Sequence, residues 1–238
     1  MSIQSLHQAL LTEIKKNSGQ ATQHTFQDNY LGNSHPRYAI STPKLRSVGK
    51  AWIKANVLSP KEFLGLITAL MKAPSGTEKM MAGILLDYSG KERMSFDPKI
   101  LNQWLNNLEG WAEIDTVCYG HFSADQILED WLRWTKLLSQ LNKSKNINKR
   151  RASLVLLCKA LTRSDDKRLA ALTFQFIEEL KHEKEILITK AVSWTLRSMV
   201  KLHRAALKKY VEENKATLPA IAVRETLTKL KTGRKTAK

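Results

Sequence analysis

The sequence predicts an all-α protein, built as a single-domain superhelical solenoid of antiparallel helix pairs with a concave basic cleft. Apolar residues recur at spacings of three and four, and no stretch alternates with the period of two that is typical of a strand. Glycine and proline are scarce, at 10 and 6 residues, which argues against a loop-rich or all-β protein. The predicted helices come in pairs of about 35–45 residues, and stacked pairs of this length create an extended concave surface.

Helix starts in the first half are marked by a hydroxyl or acidic cap, often followed by proline. The predicted helices cover Ser2–Lys16 and Ala21–Tyr30 and then begin at Ser41, Ser59, Ser75, Asp97 and Gly110. The segment Leu31–Ile40 between the second and third helices is rich in turn residues and is predicted as an irregular loop.

The second half continues the same pattern of caps and apolar stripes. A helix begins at Ser123, a basic connector covers Lys143–Lys149, and further helices begin at Arg150 and cover Asp165–Leu180, Glu183–Val200, His203–Asn214 and about Leu218–Lys231. No linker divides the chain, so we expect one domain over residues 1–231 and a basic tail over 232–238.

The chain is strongly basic, with 39 Lys and Arg against 22 Asp and Glu, a net charge of +17 and a pI near 9.9. This balance favours a polyanionic partner, first of all nucleic acid; a membrane surface and a merely soluble basic protein are the alternatives. Two cysteines, Cys118 and Cys158, are typical of buried thiols in a reducing compartment. Without a signal peptide or a membrane-spanning apolar run, the sequence predicts a cytoplasmic protein with no membrane partner.

The segment Gly110–Cys118 is predicted as a short helix that carries the most unusual pair of residues in the chain. Residues four apart share a helix face, so Trp111 and Asp115 point in the same direction. A carboxylate is costly to bury without a partner, and an indole is unusual on a solvated surface. The pair therefore predicts a cleft that receives a flat, cationic ligand.

This short helix lies in a window, Ile100–Leu132, that contains no lysine or arginine. Its acids are Glu109, Glu113, Asp115, Asp125, Glu129 and Asp130. We expect these acids to form a negative patch, with the basic excess of the chain placed elsewhere.

Seven basic residues and no acid lie between Lys143 and Arg163. Arg150 and Arg151 stand at the predicted start of a helix, where the dipole disfavours a cation. Free backbone N–H groups and guanidinium groups at one point favour a phosphate. The alternative is a solvated basic face, which charge runs often are.

A later helix places Lys190, Trp194 and Arg197 on one ridge, at spacings of four and three. An indole between two cations suits a nucleotide, with the ring on base or sugar and the cations on phosphates. The alternative is a tryptophan at the edge of the core with neighbours that extend towards solvent.

The loop Leu31–Ile40 is flanked by Tyr30 and Tyr38, which either pack or reach towards a ligand. His35 before Pro36 is more often structural than catalytic, and no nucleophile accompanies it. Because no glycine-rich phosphate loop, metal cluster or nucleophile elbow is present, we expect neither a metal nor a cofactor. Any catalysis would depend on Asp115.

Several segments together resemble the AlkD-like alkylpurine DNA glycosylases of the DNA alkylation repair family, which are HEAT-like-repeat proteins. They are Tyr30–Gly32, Ser34–Arg37, Trp111 with Asp115, Arg150–Ala152, Lys190–Arg197, Leu218–Pro219 and Arg224–Glu225. They follow the family's order and extend from about Tyr30 to Leu230.

The resemblance implies excision of cationic N3- and N7-alkylated purines from double-stranded DNA by a monomeric, monofunctional enzyme. It implies that Asp115 is the catalytic carboxylate and that Trp111 and Trp194 contact the backbone and sugar of the damaged nucleotide. Arg151 resembles the phosphate-binding arginine, and Tyr30 resembles the aromatic residue at the edge of the cleft.

Two positions depart from the family pattern. Asn148 or Lys149 stands where an aromatic residue often precedes the arginine. Ala112, with Glu113 after it, stands where an acid commonly follows the tryptophan.

The implied chemistry agrees with a single carboxylate. An alkylated purine already carries positive charge, so it leaves without protonation, and no general acid is needed, in contrast to sugar hydrolysis by two carboxylates. One fixed anion stabilises the oxocarbenium-like sugar, and indoles add cation–π contacts. The resemblance implies that the base need not be flipped into a pocket.

Two other functions stay open at this point. A non-catalytic HEAT-like-repeat module would bind DNA with a steep salt dependence and release no base. A protein-binding solenoid with incidental charge would not bind DNA even at low salt.

Overall fold

The computed structural model describes residues 2–19, 32–90 and 96–236, and these residues form thirteen α-helices and no β-strand. The all-α prediction is therefore confirmed. The predicted helix Ala21–Tyr30, and with it the candidate Tyr30, lies outside the described residues.

The helices follow one another with short connections. They are α1 (Ile3–Lys16), α2 (Thr42–Ala55), α3 (Pro60–Lys72), α4 (Gly76–Tyr88), α5 (Ile100–Trp104), α6 (Gly110–Cys118), α7 (Ala124–Glu129), α8 (Trp131–Asn142), α9 (Ile147–Leu161), α10 (Lys167–Leu180), α11 (Ile186–Ser198), α12 (Arg204–Asn214) and α13 (Ala220–Thr232). A single 3₁₀ turn, Leu105–Asn107, follows α5.

The predicted serine caps begin the helices as expected. The hydroxyls of Ser59, Ser75 and Ser123 each accept the backbone N–H three residues later, and Ser59 and Ser123 form complete capping boxes. Each bond satisfies a backbone donor that the first turn leaves without a partner. Ser41 also lies at an N-cap, but it makes no side-chain cap bond, and proline in the first turn sets the start of α2.

One predicted helix is two helices in the structure. The run that begins at Ser123 stops at Glu129 and starts again at Trp131, because Asp130 adopts φ −116° and ψ 49°, outside the helical region. Aspartate tolerates such a break because its side chain competes for local hydrogen bonds. The apolar period continued across the break, so the sequence pattern did not reveal it.

The chain divides into two compact units, Met1–Val117 and Cys118–Lys238. In the first unit, α3 packs against α1 and α4, and α4 packs against α2. Phe63, Ile67 and Leu70 of α3 are completely buried at these contacts. The prediction of one domain over residues 1–231 with a tail over 232–238 stays a prediction.

The second unit contains two rows of helices. In the α9–α11–α13 row, α11 packs between α9 and α13. The α8–α10–α12 row lies behind it, and Phe174 of α10 stacks on Tyr210 of α12 with ring centroids 4.2 Å apart. Helices α9, α11 and α13 begin at residues 147, 186 and 220, so successive pairs start 39 and 34 residues apart. This spacing agrees with the predicted helical repeat.

Cys118 and Cys158 are buried thiols that form no disulfide, as the sequence predicted. No helix within the described ranges combines the length and the apolar character needed to cross a membrane.

Candidate active site and nucleic-acid interface

Helix α6 presents the predicted pair of Trp111 and Asp115. It begins at Gly110, whose φ of 64° lies in the left-handed region that glycine adopts without steric cost. Both side chains of the pair are half-exposed. Ile114 and Val117, on another face of the helix, are completely buried. The carboxylate and the indole are thus neither part of the core nor fully solvated.

The backbone of α6 lies directly against α4 at Gly83. A Cβ built at this glycine would lie 2.3 Å from the carbonyl oxygen of Thr116 and 2.5 Å from its carbonyl carbon. These are backbone atoms, which cannot turn aside as a flexible side chain can. The absence of a side chain at position 83 therefore sets the distance between the two helices.

Glu113, which precedes Thr116 by about one helical turn, also holds α6, and its side chain is completely buried. Its Oε1 accepts from Nδ2 of Asn33 at 3.0 Å and lies 2.8 Å from Nδ1 of His35. Its Oε2 accepts from the backbone N–H of Glu109 at 2.8 Å. A Cβ at Gly76 would lie 2.7 Å from Oε1, so the carboxylate fits because glycine occupies that position.

Lys79, which is 3% exposed, supplies a positive charge that interacts electrostatically with this carboxylate. Its Nζ donates to the carbonyl oxygens of Met71, at 3.2 Å, and Asn107, at 2.7 Å. Burial lowers the pKa of the Lys79 ammonium, and the negative charges of Glu113 and Glu109 oppose that change. The turn that leads into α6 is therefore fixed by a buried cation as well as a buried anion.

The expected negative patch over Ile100–Leu132 needs correction. Glu113 is buried among hydrogen-bond donors, and Glu109 accepts from both the hydroxyl and the backbone N–H of Ser34, at 2.6 and 3.2 Å. The Ser34 hydroxyl holds the pKa of Glu109 below its ordinary value. Sequence distance from lysine and arginine did not predict this, because the donors come from the loop near residue 34 and from the backbone N–H of Glu109.

In the second unit, Trp194 belongs to a small aromatic cluster. Its ring centroid lies 4.9 Å from that of Tyr119, with the planes tilted by 43°. Nζ of Lys159 lies 5.7 Å from the centroid of the Tyr119 ring, within cation–π range. Trp194 is half-exposed. The sequence did not connect Tyr119 or Lys159 with Trp194, because neither lies at helical spacing from it.

Arg197, on the same ridge as Trp194, pairs with a buried carboxylate of α13. Its Nε lies 3.3 Å from Oε2 of Glu225, which also accepts from the hydroxyl of Ser193 at 2.6 Å. Burial lowers the pKa of the Arg197 guanidinium despite this partner. Burial raises the pKa of Glu225, but the Ser193 hydrogen bond and the charge of Arg197 outweigh it and hold that pKa below its ordinary value.

Several cations lie around Glu225, and its single negative charge cannot neutralise all of them. Nζ of Lys235 lies 3.6 Å from it, and Lys190 contributes to the low pKa of the same carboxyl. Burial and the charge of Arg197 both lower the pKa of Lys229. Together these residues form a cluster with four cations and one anion, and a phosphate would neutralise part of its excess positive charge. The cluster consists of Lys190, Arg197, Lys229, Lys235 and Glu225.

Charge separates between the two rows of the second unit. The α9–α11–α13 row contains nine basic residues and one acidic residue, Glu225. The α8–α10–α12 row contains seven basic and four acidic residues. The basic excess is therefore concentrated on the row that carries Trp194.

Arg150 makes internal contacts that account for its position. Its Nε and Nη2 donate to the two carboxylate oxygens of Glu183 at 2.8 and 2.9 Å, and Nη1 donates to the carbonyl oxygens of Ser144 and Lys145. Of the five N–H donors of a guanidinium, these bonds engage four. Its predicted contact with a phosphate would require some of them to break.

Arg151 lies deeper, with 2% of its surface exposed. Its Nη1 donates to the carbonyl oxygen of Leu187 at 2.6 Å, which ties α9 to the first turn of α11. Helix α9 begins three residues earlier than predicted, and Asn146 caps it by accepting the N–H of Asn148. Both arginines consequently follow the capped first residues of the helix.

The model of the family described as DNA alkylation repair enzyme matches residues 8–230 of this sequence. The match includes α6, α9, α11 and all but the last two residues of α13. This chain belongs to the DNA alkylation repair enzyme family. The resemblance found in the sequence is thereby confirmed.

The fold of this DNA alkylation repair family member is shared by a solved structure, a predicted DNA alkylation repair enzyme from Enterococcus faecalis. The two structures superpose with a TM-score of 0.68 over 87% of this chain and 93% of that one, at 18% sequence identity. No curated protein matches the chain. At this identity the likeness extends to the fold alone.

Membership of the DNA alkylation repair family supports a role in DNA repair. The excess of nine basic residues over one acidic residue in the α9–α11–α13 row agrees with a nucleic-acid partner. In the parts of the chain that the structure describes, no group of three or more His, Cys, Asp or Glu side chains could hold a metal ion.

Proposed function

We propose that the protein is a monofunctional DNA glycosylase that hydrolyses the N-glycosidic bond of cationic N3- and N7-alkylated purines in double-stranded DNA. The observation that carries this proposal is the half-exposed face of α6. A half-exposed carboxylate, Asp115, lies one turn from the indole of Trp111, on a helix whose opposite side is fixed by buried charges. The enzyme acts as a monomer and needs no cofactor.

The reaction needs one anion. The electrons of the glycosidic bond move onto the alkylated purine, which leaves as a neutral base, and the sugar becomes an oxocarbenium-like cation. The carboxylate of Asp115 stabilises that cation, and the indole of Trp111 adds a cation–π contact. Water then attacks C1′ and releases a proton, which leaves an abasic site. Because the cationic base supplies its own activation, no pocket for a flipped base is required.

The second unit binds the DNA backbone in this proposal. Trp194 offers a half-exposed aromatic surface, and Lys190 and Arg197 lie on the same ridge. Phosphates that neutralise the cluster around Glu225 would release counterions, so affinity falls as salt rises. Arg150 and Arg151 remain predicted phosphate ligands, but their internal hydrogen bonds favour a structural role.

The direct test is incubation with methylated double-stranded DNA, followed by chromatography of the released bases. We expect free 3-methyladenine or 7-methylguanine from the wild-type protein, and a rate at least about 100-fold lower for Asp115→Asn, since one preorganised electrostatic group typically contributes that much. Asp125→Asn is a matched control, because Asp125 belongs to the same acid-rich window but is exposed on α7. Equal rates for Asp115→Asn and the wild type would remove Asp115 from the mechanism.

A non-catalytic DNA-binding module is the second candidate, and the concentration of basic residues on the α9–α11–α13 row favours it independently of α6. Such a module would bind DNA with a steep salt dependence and release no base. The same assay separates the two functions, because binding without release would support only the module.

A further inference from the structure

We propose that Glu113 is a positioning residue for the reaction proposed above. Its buried carboxylate fixes the orientation of α6, and through it the directions of the Trp111 and Asp115 side chains. This inference rests on the proposed function, and it concerns a residue that cannot itself contact DNA because its side chain is completely buried.

Helix geometry places Glu113 opposite the half-exposed pair of Trp111 and Asp115. Each residue turns an α-helix by about 100°, so a residue midway between Trp111 and Asp115 projects from the far side. A rotation or shift of α6 at Glu113 therefore moves both side chains together. An error of about 1 Å in such a placement can cost a large factor in rate.

The carboxylate joins three separate parts of the first unit. Asn33 and His35 belong to the loop before α2, and the N–H of Glu109 belongs to the turn that enters α6. Gly76, which leaves room for Oε1, is the first residue of α4. Glu113 is thus the point at which α6 is fixed to that loop and that helix.

Directional bonds explain why a carboxylate occupies this position. Burying a charge is costly, and an apolar side chain of similar size is often at least as stable in a core. An apolar contact does not define a rotation about the helix axis, whereas three hydrogen bonds with fixed directions do. The geometry points to the orientation of α6 as the property that these bonds secure.

The first unit also contains a matched control for this inference. Glu78 is 2% exposed, and its Oε1 lies 2.8 Å from Nε2 of His7, the same distance that separates Glu113 from His35. Its partners are on α1 and at the cap of α4, where Ser75 accepts the N–H of Glu78. Both glutamates are therefore buried and paired with histidine, but only Glu113 belongs to α6.

The experiment compares Glu113→Gln with Glu78→Gln on methylated double-stranded DNA. Single-turnover excision rate, DNA affinity and melting temperature are measured for both variants. We expect Glu113→Gln to lower the rate by about tenfold or more, with DNA affinity changed by less than about twofold. We expect Glu78→Gln to lower the melting temperature by a similar amount and to leave the rate within about twofold. Equal losses of rate in the two variants would show a general effect of stability and overturn the inference.

A double variant tests whether Glu113 acts through Asp115. If it does, Glu113→Gln slows the wild-type enzyme but does not slow Asp115→Asn further, because the group it positions is already absent. If the loss of rate in the double variant equals the product of the two single losses, Glu113 has a role separate from Asp115, and the inference is overturned.

His35→Asn provides the test if Glu113→Gln does not fold. His35 is 21% exposed and supplies one of the three contacts to Glu113, so its replacement disturbs the protein less. We expect a smaller loss of rate, again with unchanged DNA affinity, and an unchanged rate would count against the inference. A wild-type protein that releases no base overturns the proposed function and this inference together, whereas an active wild type with an active Glu113→Gln overturns the inference alone.

Discussion

Helices α6 and α11 each present a half-exposed tryptophan, but the balance between apolar packing and hydrogen bonds that holds each helix in place differs. On α6, the side opposite Trp111 is fixed by the buried carboxylate of Glu113 and its three hydrogen bonds. On α11, the buried side is mostly apolar, with Leu187, Ile188, Ala191, Val192 and Leu196, and its buried hydroxyls include that of Ser193, which donates to Glu225. Apolar burial is strong but non-directional, whereas hydrogen bonds to a buried charge specify an orientation.

The difference agrees with the tasks proposed for the two helices. A carboxylate that stabilises one sugar atom must be placed accurately, so rotation of α6 is restricted. Cations that neutralise phosphates act over longer distances and tolerate displacement, so the mostly apolar packing of α11 is sufficient. The variants that follow weaken one side of this comparison at a time, in order of decreasing expected effect.

Gly83→Ala should have the largest effect, because it drives a methyl group into the backbone of α6. The added Cβ would lie 2.3 Å from the carbonyl oxygen of Thr116, and we expect a loss of about 3 kcal/mol in the free energy of unfolding together with a lower excision rate. Thermal melts and base release measure the two effects. Gly90→Ala is the control, since a Cβ there meets nothing within 4 Å. A Gly83→Ala protein as stable as Gly90→Ala would contradict this description of the contact.

Arg150→Ala should lower stability rather than DNA affinity. The substitution leaves the carboxylate of Glu183 and two loop carbonyls without their donor, which we expect to cost about 2 kcal/mol. Lys145→Ala, which removes an exposed cation from the same loop, serves as the control. Chemical denaturation and DNA titration distinguish the outcomes: a large loss of affinity with normal stability would identify Arg150 as a phosphate ligand, as first predicted from the sequence.

Lys190→Ala should weaken DNA binding and leave stability nearly unchanged. Lys190 is half-exposed on the ridge of Trp194, so we expect a several-fold loss of affinity and a decrease of about one in the slope of log K against log salt. Titrations at several salt concentrations measure both. An unchanged slope would mean that no phosphate contacts this lysine.

The smallest expected effect concerns pH and Glu225. The Ser193 hydroxyl and the charge of Arg197 more than compensate for burial and hold the pKa of Glu225 below its ordinary value. The unfolded chain therefore binds a proton more readily, and the stabilisation present above the unfolded pKa of about 4.3 is lost as pH falls through the folded pKa. We expect Glu225→Gln to lack this contribution, so that its stability approaches that of the wild type in acid. Urea denaturation at neutral and acidic pH measures the free energy of unfolding of the wild type and of Glu225→Gln. A difference between the two proteins that stays the same at both pH values would contradict this expectation.

Much of the fold could be predicted because helix signals are local. The caps at Ser59, Ser75 and Ser123 and the apolar stripes are visible within a few residues. The break at Asp130 could not be predicted, since the apolar period continues through it. That Trp111 and Asp115 share a helix face could also be predicted from the sequence, because the two residues are only four apart on one helix.

The rest of the site could not be predicted, because it depends on contacts between distant parts of the chain. Glu113 and Asn33 are 80 residues apart, and Ser193 and Glu225 are 32 apart. The sequence therefore predicted a negative patch that includes Glu113 and a phosphate site at Arg150 and Arg151, where the structure has internal hydrogen bonds. Glu225 did stand in one of the family segments, but no pattern indicated that it would neutralise Arg197.

The burial of the thiols of Cys118 and Cys158 has a consequence for a member of the DNA alkylation repair family. Agents that alkylate purines also react with thiolates, and a repair protein encounters both the damage and its cause. Cys118 and Cys158 are at most 1% exposed, and buried thiols of this kind are chemically inert. Burial of both sulfur atoms should therefore let the protein survive the same chemical stress that creates the substrate proposed for it.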